Sequence, residues 1–229
     1  TRRPELQDPE NRLLARGPSF RLPAETIRDQ ALFVSGLLHR QVGGPSVKPY
    51  QPPGIWEDLN APKSHAEVYT QSTGDDLYRK STYTFWRRAA MHPGMAVFDA
   101  PNRDVCSVLR PTTNTPLQAL ALLHDPTYVE AARKLAELVI RENSSEDGTP
   151  IAAAMRRTLS RHATERELAL LSGLYRQRLA HYASEPQAAK RLLRVGESPA
   201  DRQLDPAQLA AMADICLAIL NLSETITRK

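Results

Sequence analysis

Apolar residues recur at helical spacing near the start of the chain, in the stripe Ile27, Ala31, Val34 and Leu38. Residues three or four positions apart share one face of an α-helix, so this stripe predicts a helix over about residues 23–39. Pro23 suits its first turn, where a backbone N–H is not needed. The polar residues that interrupt the stripe, and that we expect on the solvated face, are Arg28, Asp29 and Gln30.

From about residue 115 to residue 225, the pattern predicts one helix after another. A polar residue followed by proline suits a helix start, and it occurs at Thr115-Pro116, Asp125-Pro126, Thr149-Pro150, Glu185-Pro186 and Asp205-Pro206. Thr164 and Glu167 form a capping box ahead of a further helix. The stretch Leu209–Leu222 is apolar nearly all round, which predicts a helix at the centre of the core.

The segment between these two regions, about residues 41–115, is rich in turns. Gly43-Gly-Pro45 and Gln51-Pro-Pro-Gly54 force the chain to change direction. The β-branched and aromatic residues of Ser81–Trp86 predict a short strand. Further candidate strands are Met95–Asp99 and Val105–Leu109.

These patterns predict a mainly α fold, in which a helical core accompanies a loop-rich segment carrying one or two short β-strands. The composition is that of a globular protein, with 41% hydrophobic and 24% charged residues, and we expect residues 1–229 to form a single domain. The 18 prolines against 10 glycines are explained in large part by the proline-initiated helices.

The charge distribution argues against a nucleic-acid partner. The chain has 30 basic and 26 acidic residues, a net charge of +4, but the two signs are interspersed. A surface that follows phosphates needs clustered positive charge. No apolar run approaches the roughly 20 residues that cross a bilayer, so we expect no membrane span.

Metal and cofactor motifs are absent from the sequence. No two of the six histidines lie within one helical turn of each other, and there is no Cys-x-x-Cys-His. We therefore expect no metal and no cofactor in this fragment. Cys216 lies in the apolar C-terminal stretch and is expected to be buried. Cys106 has no neighbouring histidine to activate it, so we expect it to be buried as well.

One dense polar run, from Asp99 to Thr115, contains the residues most suited to bind a ligand. With Tyr50 from the turn-rich segment, the candidate set is Tyr50, Asp99, Asn102, Arg103, Arg110 and Asn114. Arg103 and Arg110 are suited to clamp a carboxylate or a sulfate, and we expect the run to pack on the turn at residues 43–54 and form a pocket.

A structural role explains the same residues. Asp, Asn and Thr satisfy turns and helix caps, and arginines pair with nearby acids to hold loops. Asp99 and Asp104 are the candidate general bases under the first interpretation, and turn or cap residues under the second. We assign no catalytic residue on the sequence.

Several longer strings resemble one known family. They are Asp8-Pro-Glu-Asn-Arg-Leu-Leu14, the run from Gly43 to Gly54, Asp76-Leu-Tyr-Arg-Lys-Ser-Thr-Tyr-Thr-Phe-Trp-Arg87, Phe98-Asp-Ala-Pro-Asn-Arg-Asp-Val-Cys106, Thr113-Asn-Thr-Pro-Leu-Gln-Ala-Leu120 and Asn221-Leu-Ser-Glu-Thr225. Together they are similar to the domain-of-unknown-function 1553 family, also called planctomycete-specific domain 1, and the chain resembles its C-terminal portion. His124 departs from the family pattern, in which asparagine is commoner.

The resemblance implies a context more than a chemistry. Such modules end large exported multidomain proteins, so the expected partners are other domains of the same polypeptide, including a cytochrome c-like domain. The expected location is the periplasm or the cell surface. Two functions remain open: a structural or interaction role, and a part in an enzyme acting on sulfated or carboxylated polysaccharide, oxidative if fed by the cytochrome.

Overall fold

The computed structural model describes residues 8–15, 17, 19–56, 69–87, 90–142 and 149–228. Within these residues the α-helices are α1 (Ala24–Val34), α2 (Pro93–Ala96), α3 (Pro116–His124), α4 (Pro126–Glu142), α5 (Pro150–Leu159), α6 (Glu165–Ser184), α7 (Pro186–Leu193), α8 (Pro206–Leu220) and α9 (Ser223–Ile226). Two short strands, β1 (Phe20–Arg21) and β2 (Thr227–Arg228), pair antiparallel. The predicted mainly α fold is confirmed.

Helix α8 lies at the centre of the core, as its apolar sequence predicts. It packs against α3 to α7, and its most extensive contact is with α4. Cys216, in the middle of α8, is fully buried, which confirms its predicted burial. Helix α4 supplies the second half of the core with a stripe of Tyr128, Ala132, Leu135 and Val139.

Proline occupies the first position at all five predicted starts in the C-terminal half. Side-chain caps form at α5, α6 and α8. The Thr149 side chain accepts from the Ala152 N–H at the start of α5, and the Asp205 side chain accepts from the Gln208 N–H at the start of α8. At α6, both bonds of the Thr164–Glu167 capping box form. Thr115 makes no side-chain cap, because the Gln118 N–H bonds the Thr115 carbonyl oxygen instead, at 3.1 Å.

Helix α1 is shorter than the predicted 23–39, because Gly36 adopts φ +76° and turns the chain away after Val34. The expectation that Arg28 faces solvent is wrong. Its guanidinium is buried and donates to the carbonyl oxygens of Leu77 at 2.8 Å and Arg79 at 2.9 Å. A loop distant in sequence thus covers the face of α1 that its pattern marks as polar.

The strands predicted in the turn-rich segment do not form. Ser81–Tyr83 is a 3₁₀ helix, and Thr84 makes only an isolated bridge to Val47. In the second candidate strand, Met95 and Ala96 belong to α2 and Val97–Asp99 follow it. Val105–Leu109 forms no strand. The aromatic side chains serve loop packing instead: the Phe85 ring lies 5.7 Å from the Trp56 ring, centroid to centroid.

A second 3₁₀ helix, Gly74–Tyr78, lies shortly before Ser81–Tyr83 in the chain. It packs Leu77 and Tyr78 against Leu32 of α1. In the part of the chain that the structure describes, no helix has both the length and the apolar character needed to cross a membrane.

Candidate functional site

Tyr50 is a loop anchor rather than a free ligand-binding group. Its hydroxyl donates to Glu130 Oε2 at 2.9 Å and accepts from the Glu197 N–H at 2.7 Å. Burial and the negative charge of Glu130 raise the pKa of Tyr50, so the phenol stays protonated and keeps donating. Tyr50 therefore ties the turn-rich segment to α4 and to the loop between α7 and α8.

Glu130 is the centre of a buried polar network on α4. Besides Tyr50, its carboxylate accepts from the Tyr78 hydroxyl at 2.9 Å and from the Ser198 N–H at 2.6 Å. Arg133 follows three residues later, fully buried, and donates to Glu137 Oε1 at 2.9 Å. Arg133 lies 3.6 Å from Glu130 Oε1 and 2.9 Å from Glu137 Oε1, so the buried charges are paired while the network fastens two loops to α4.

No sequence pattern predicts this network. Glu130, Arg133 and Glu137 lie three and four residues apart, on the side of α4 away from its apolar stripe. Such alternation is typical of a solvated helix face. The only sign of the network in the sequence is the helical spacing, which places the three side chains in one row along α4.

Asp99 is held by an arginine from the N-terminal strand. It adopts φ +59°, and its carboxylate accepts from Arg21 and from the Thr113 N–H, the latter at 2.8 Å. Although burial alone would raise the pKa of Asp99, the hydrogen bonds from Thr113 and Arg21 hold it below the ordinary value. An ionised, fully paired carboxylate suits a loop anchor and is a poor general base near neutral pH.

The two arginines predicted to clamp an anion reach different partners. The Arg103 guanidinium lies over the Trp86 ring, 4.2 Å from its centroid, and Arg110 Nη1 donates to Glu25 Oε2 at 2.8 Å. Asn102 accepts from the Asp104 N–H at 3.2 Å across a tight turn. These contacts join the run to Trp86 and α1, and they give no support to its predicted packing on the turn at residues 43–54.

Cys106, in the same run, is exposed, so its predicted burial is wrong. No apolar helix surrounds it, and the nearby Val105 and Val108 are exposed too. The loop is held at Asp99, at Arg103 and at Arg110, and its residues from Val105 to Leu109 are exposed.

Asn114 is exposed and is the candidate residue that lines a cavity. The cavity has a volume of about 350 Å³ and lies between β1, the start of α3 and the start of α9. Arg21 and Gln118 line the cavity. Since Arg21 also donates to Asp99, the Asp99 anchor is linked to the cavity through Arg21. Among the described residues, no three His, Cys, Asp or Glu side chains come together to hold a metal ion.

Comparison with known proteins supports the family seen in the strings. Residues 1–175 match the PSD1 family, described as "Protein of unknown function (DUF1553)". No curated protein and no solved structure matches the chain. The match contains all six candidate residues and ends inside α6. The resemblance is thereby confirmed, and the chain belongs to the DUF1553 family of proteins of unknown function.

Proposed function

We propose that this chain is a structural and interaction module that docks, through an exposed apolar surface, on another domain of the same polypeptide. One observation carries the proposal. Six large apolar side chains are exposed within a stretch of nineteen residues: Val105, Val108, Leu109, Leu117, Leu120 and Leu123. We call these residues the 105–123 surface.

The arrangement of α3 supports this use. Leu117, Leu120 and Leu123 lie at successive three-residue steps along one side of the helix, whereas Gln118 and Leu122 on the other side are buried. Burying a leucine is worth about 1.5–3 kcal/mol. The three leucines form one exposed apolar row on α3, and large uncovered apolar patches are rare on soluble monomers. The charged candidates Asp99, Arg103 and Arg110, by contrast, are already engaged within the chain.

The test is a binding measurement between this chain and the rest of its polypeptide. In Leu117→Gln/Leu120→Gln, glutamine keeps the helix propensity and removes the apolar contact. We expect at least a tenfold loss of affinity by calorimetry, since each leucine contributes more than about 1 kcal/mol. Leu170→Gln, on the exposed side of α6, is the matched control. Equal binding by the double variant and the wild type would refute the docking role.

The second candidate is a part in an enzyme acting on sulfated or carboxylated polysaccharide, exported and linked to a cytochrome c-like domain. The density of polar groups from Asp99 to Asn114 favours it. In this case Arg103→Ala abolishes activity of the whole polypeptide on a sulfated polysaccharide without changing the melting temperature. Retained activity, or a parallel loss of stability, supports the interaction module instead. Export is proposed with either function, from the family context alone.

A further inference from the structure

A second cavity, of about 290 Å³, opens between four helices of the bundle. Its apolar lining comes from Ile140 on α4, Ile151 on α5, Tyr175 on α6 and Met212 on α8. Ile151 and Met212 belong to the main core, whereas Ile140 and Tyr175 are partly exposed and offer their surface to a ligand. The volume lies at the lower end of the range of ligand pockets, which often form between the helices of a bundle. The cavity is distinct from the 105–123 surface.

The lining favours a ligand with an apolar body. Beside the Tyr175 hydroxyl, the polar side chains that line the cavity are Thr149, Ser172 and Arg176. A hydroxyl-rich molecule would exchange its hydrogen bonds to water for contact with apolar side chains, which is unfavourable. An apolar group, by contrast, gains from leaving water and covers the apolar lining at the same time.

Arg176 adds one positive charge at the solvent side of the cavity. The residue is exposed, and its Nε donates to the Ser172 carbonyl oxygen over a long 3.4 Å. No acidic side chain pairs with Arg176 among the described residues, and none of those that line the cavity is acidic. A guanidinium presents parallel N–H groups to a carboxylate, whereas a cationic ligand would find no opposite charge in this lining.

We propose that this cavity binds a monocarboxylate with an apolar chain of short to medium length. The chain lies against Ile140, Tyr175 and Met212, and the carboxylate accepts from the Arg176 guanidinium. Met212 suits such a ligand, because a thioether side chain adapts its shape to what it packs against. The limited volume favours a short or medium chain over a long one.

NMR of the whole chain, isotope-labelled at its methionine methyl groups, tests the binding. Of the four methionines, Met212 lines the cavity, whereas Met95 on α2 does not. Octanoate should shift the Met212 methyl signal in a saturable way and leave the Met95 signal in place, with Met212→Leu identifying the signal. Octanoate should bind at least about tenfold more tightly than butanoate, because it buries more methylene groups. No saturable shift at Met212, or equal affinity for the two acids, would overturn the proposal.

The charge of the ligand is tested with octylammonium, which has the same apolar chain. It should bind about three- to fivefold more weakly than octanoate, the range of an exposed ion pair. Arg176→Gln should remove most of this preference, while Arg166→Gln, at an exposed position of α6 outside the cavity, should keep it. Equal binding of the two probes to the wild type, or an unchanged preference in Arg176→Gln, would contradict the assignment.

A filled cavity provides the second variant. Ser172→Phe places a large side chain in the lining and should weaken octanoate binding at least about tenfold, whereas Ala180→Phe, at an exposed position further along α6, should not. Leu117→Gln/Leu120→Gln should bind octanoate like the wild type, which separates this cavity from the docking role. Melting temperatures identify the folded variants, and Arg176→Gln carries the test if Ser172→Phe does not fold. Wild-type affinity in folded Ser172→Phe, or lost binding in the leucine double variant, would place the probe elsewhere and refute the site.

Discussion

Gly196 lies directly against the carboxylate of Glu130. A Cβ atom at Gly196 would stand 2.2 Å from Glu130 Cδ, far inside van der Waals contact. Gly196 also has φ +88°, a conformation that side chains rarely adopt. The close approach brings the Ser198 N–H to Glu130 Oε1, so the loop after α7 depends on a residue without a side chain.

Gly196→Ala should lower the free energy of unfolding by about 2–4 kcal/mol, because it adds backbone strain and a clash with a buried carboxylate. Chemical denaturation measures the loss. Gly54→Ala is the control: its φ is +89°, but nothing lies within 4 Å of the added Cβ. It should cost only the strain, about 1 kcal/mol. Equal losses in the two variants would contradict the packing of Gly196 on Glu130.

His92 makes stability depend on pH. Its side chain is buried, its Nε2 donates to the Tyr50 carbonyl oxygen at 2.9 Å, and burial and the nearby Arg28 charge lower its pKa to about 4. Since the unfolded state binds a proton near pH 6.5, stability is full above that pH and falls as the pH drops towards 4.

Between pH 6.5 and pH 4, His92 should account for up to about 3 kcal/mol of lost stability. The measurement is the free energy of unfolding against pH for the wild type and for His92→Gln, whose amide can still donate to Tyr50. The wild type should lose more over this interval than the variant. His124→Gln, at an exposed position, should follow the wild-type curve. Parallel curves for the wild type and His92→Gln would rule out this role.

Asp99 should prove to be a structural residue. Asp99→Ala leaves Arg21 without its acidic partner and places alanine at φ +59°, so we expect a loss of about 2–4 kcal/mol. Asp99→Asn tolerates the same backbone and should cost about half as much. Thermal and chemical unfolding provide the values, with Asn102→Ala, which loses only one exposed turn hydrogen bond, as a much less affected control. Wild-type stability in Asp99→Ala would be incompatible with an anchor.

The two cysteines should differ sharply towards a thiol reagent. Cys106 is exposed and should react with Ellman's reagent in the native protein. Cys216 is fully buried, and burial raises its pKa, so it should react only after unfolding. Cys106→Ser should abolish the fast reaction and leave one slow thiol. Fast modification of both thiols in the native state would be inconsistent with the position of α8.

The helical half of the fold is predictable because its determinants are local. Pro116, Pro126, Pro150, Pro186 and Pro206 each begin a helix, and a proline or a cap acts on its own neighbours in sequence. The central position of α8 is predictable from its own residues, because they are apolar on nearly every side of the helix. Thr115 shows the limit, since its predicted side-chain cap is replaced by a backbone bond.

The polar contacts could not be predicted, because they join residues distant in sequence. Arg28 meets carbonyl groups about fifty positions away, and Glu130 meets Tyr50 and Ser198 from two separate loops. A charged helix face looks the same in sequence whether water or a loop covers it. Asn114 was named from its place in the polar run, and it lines the cavity, whereas Arg21 and Gln118, which also line it, carry no local pattern.

The central position of α8 has a consequence for synthesis. Because α8 follows α4 to α7 in the sequence, these helices leave the ribosome before the element that covers their apolar sides. The nascent protein therefore carries an incomplete core until about residue 220 has emerged, a state prone to aggregation. A gene fragment cut at residue 175, the end of the family match, would sever α6 and omit α8. Such a fragment should be recovered as inclusion bodies.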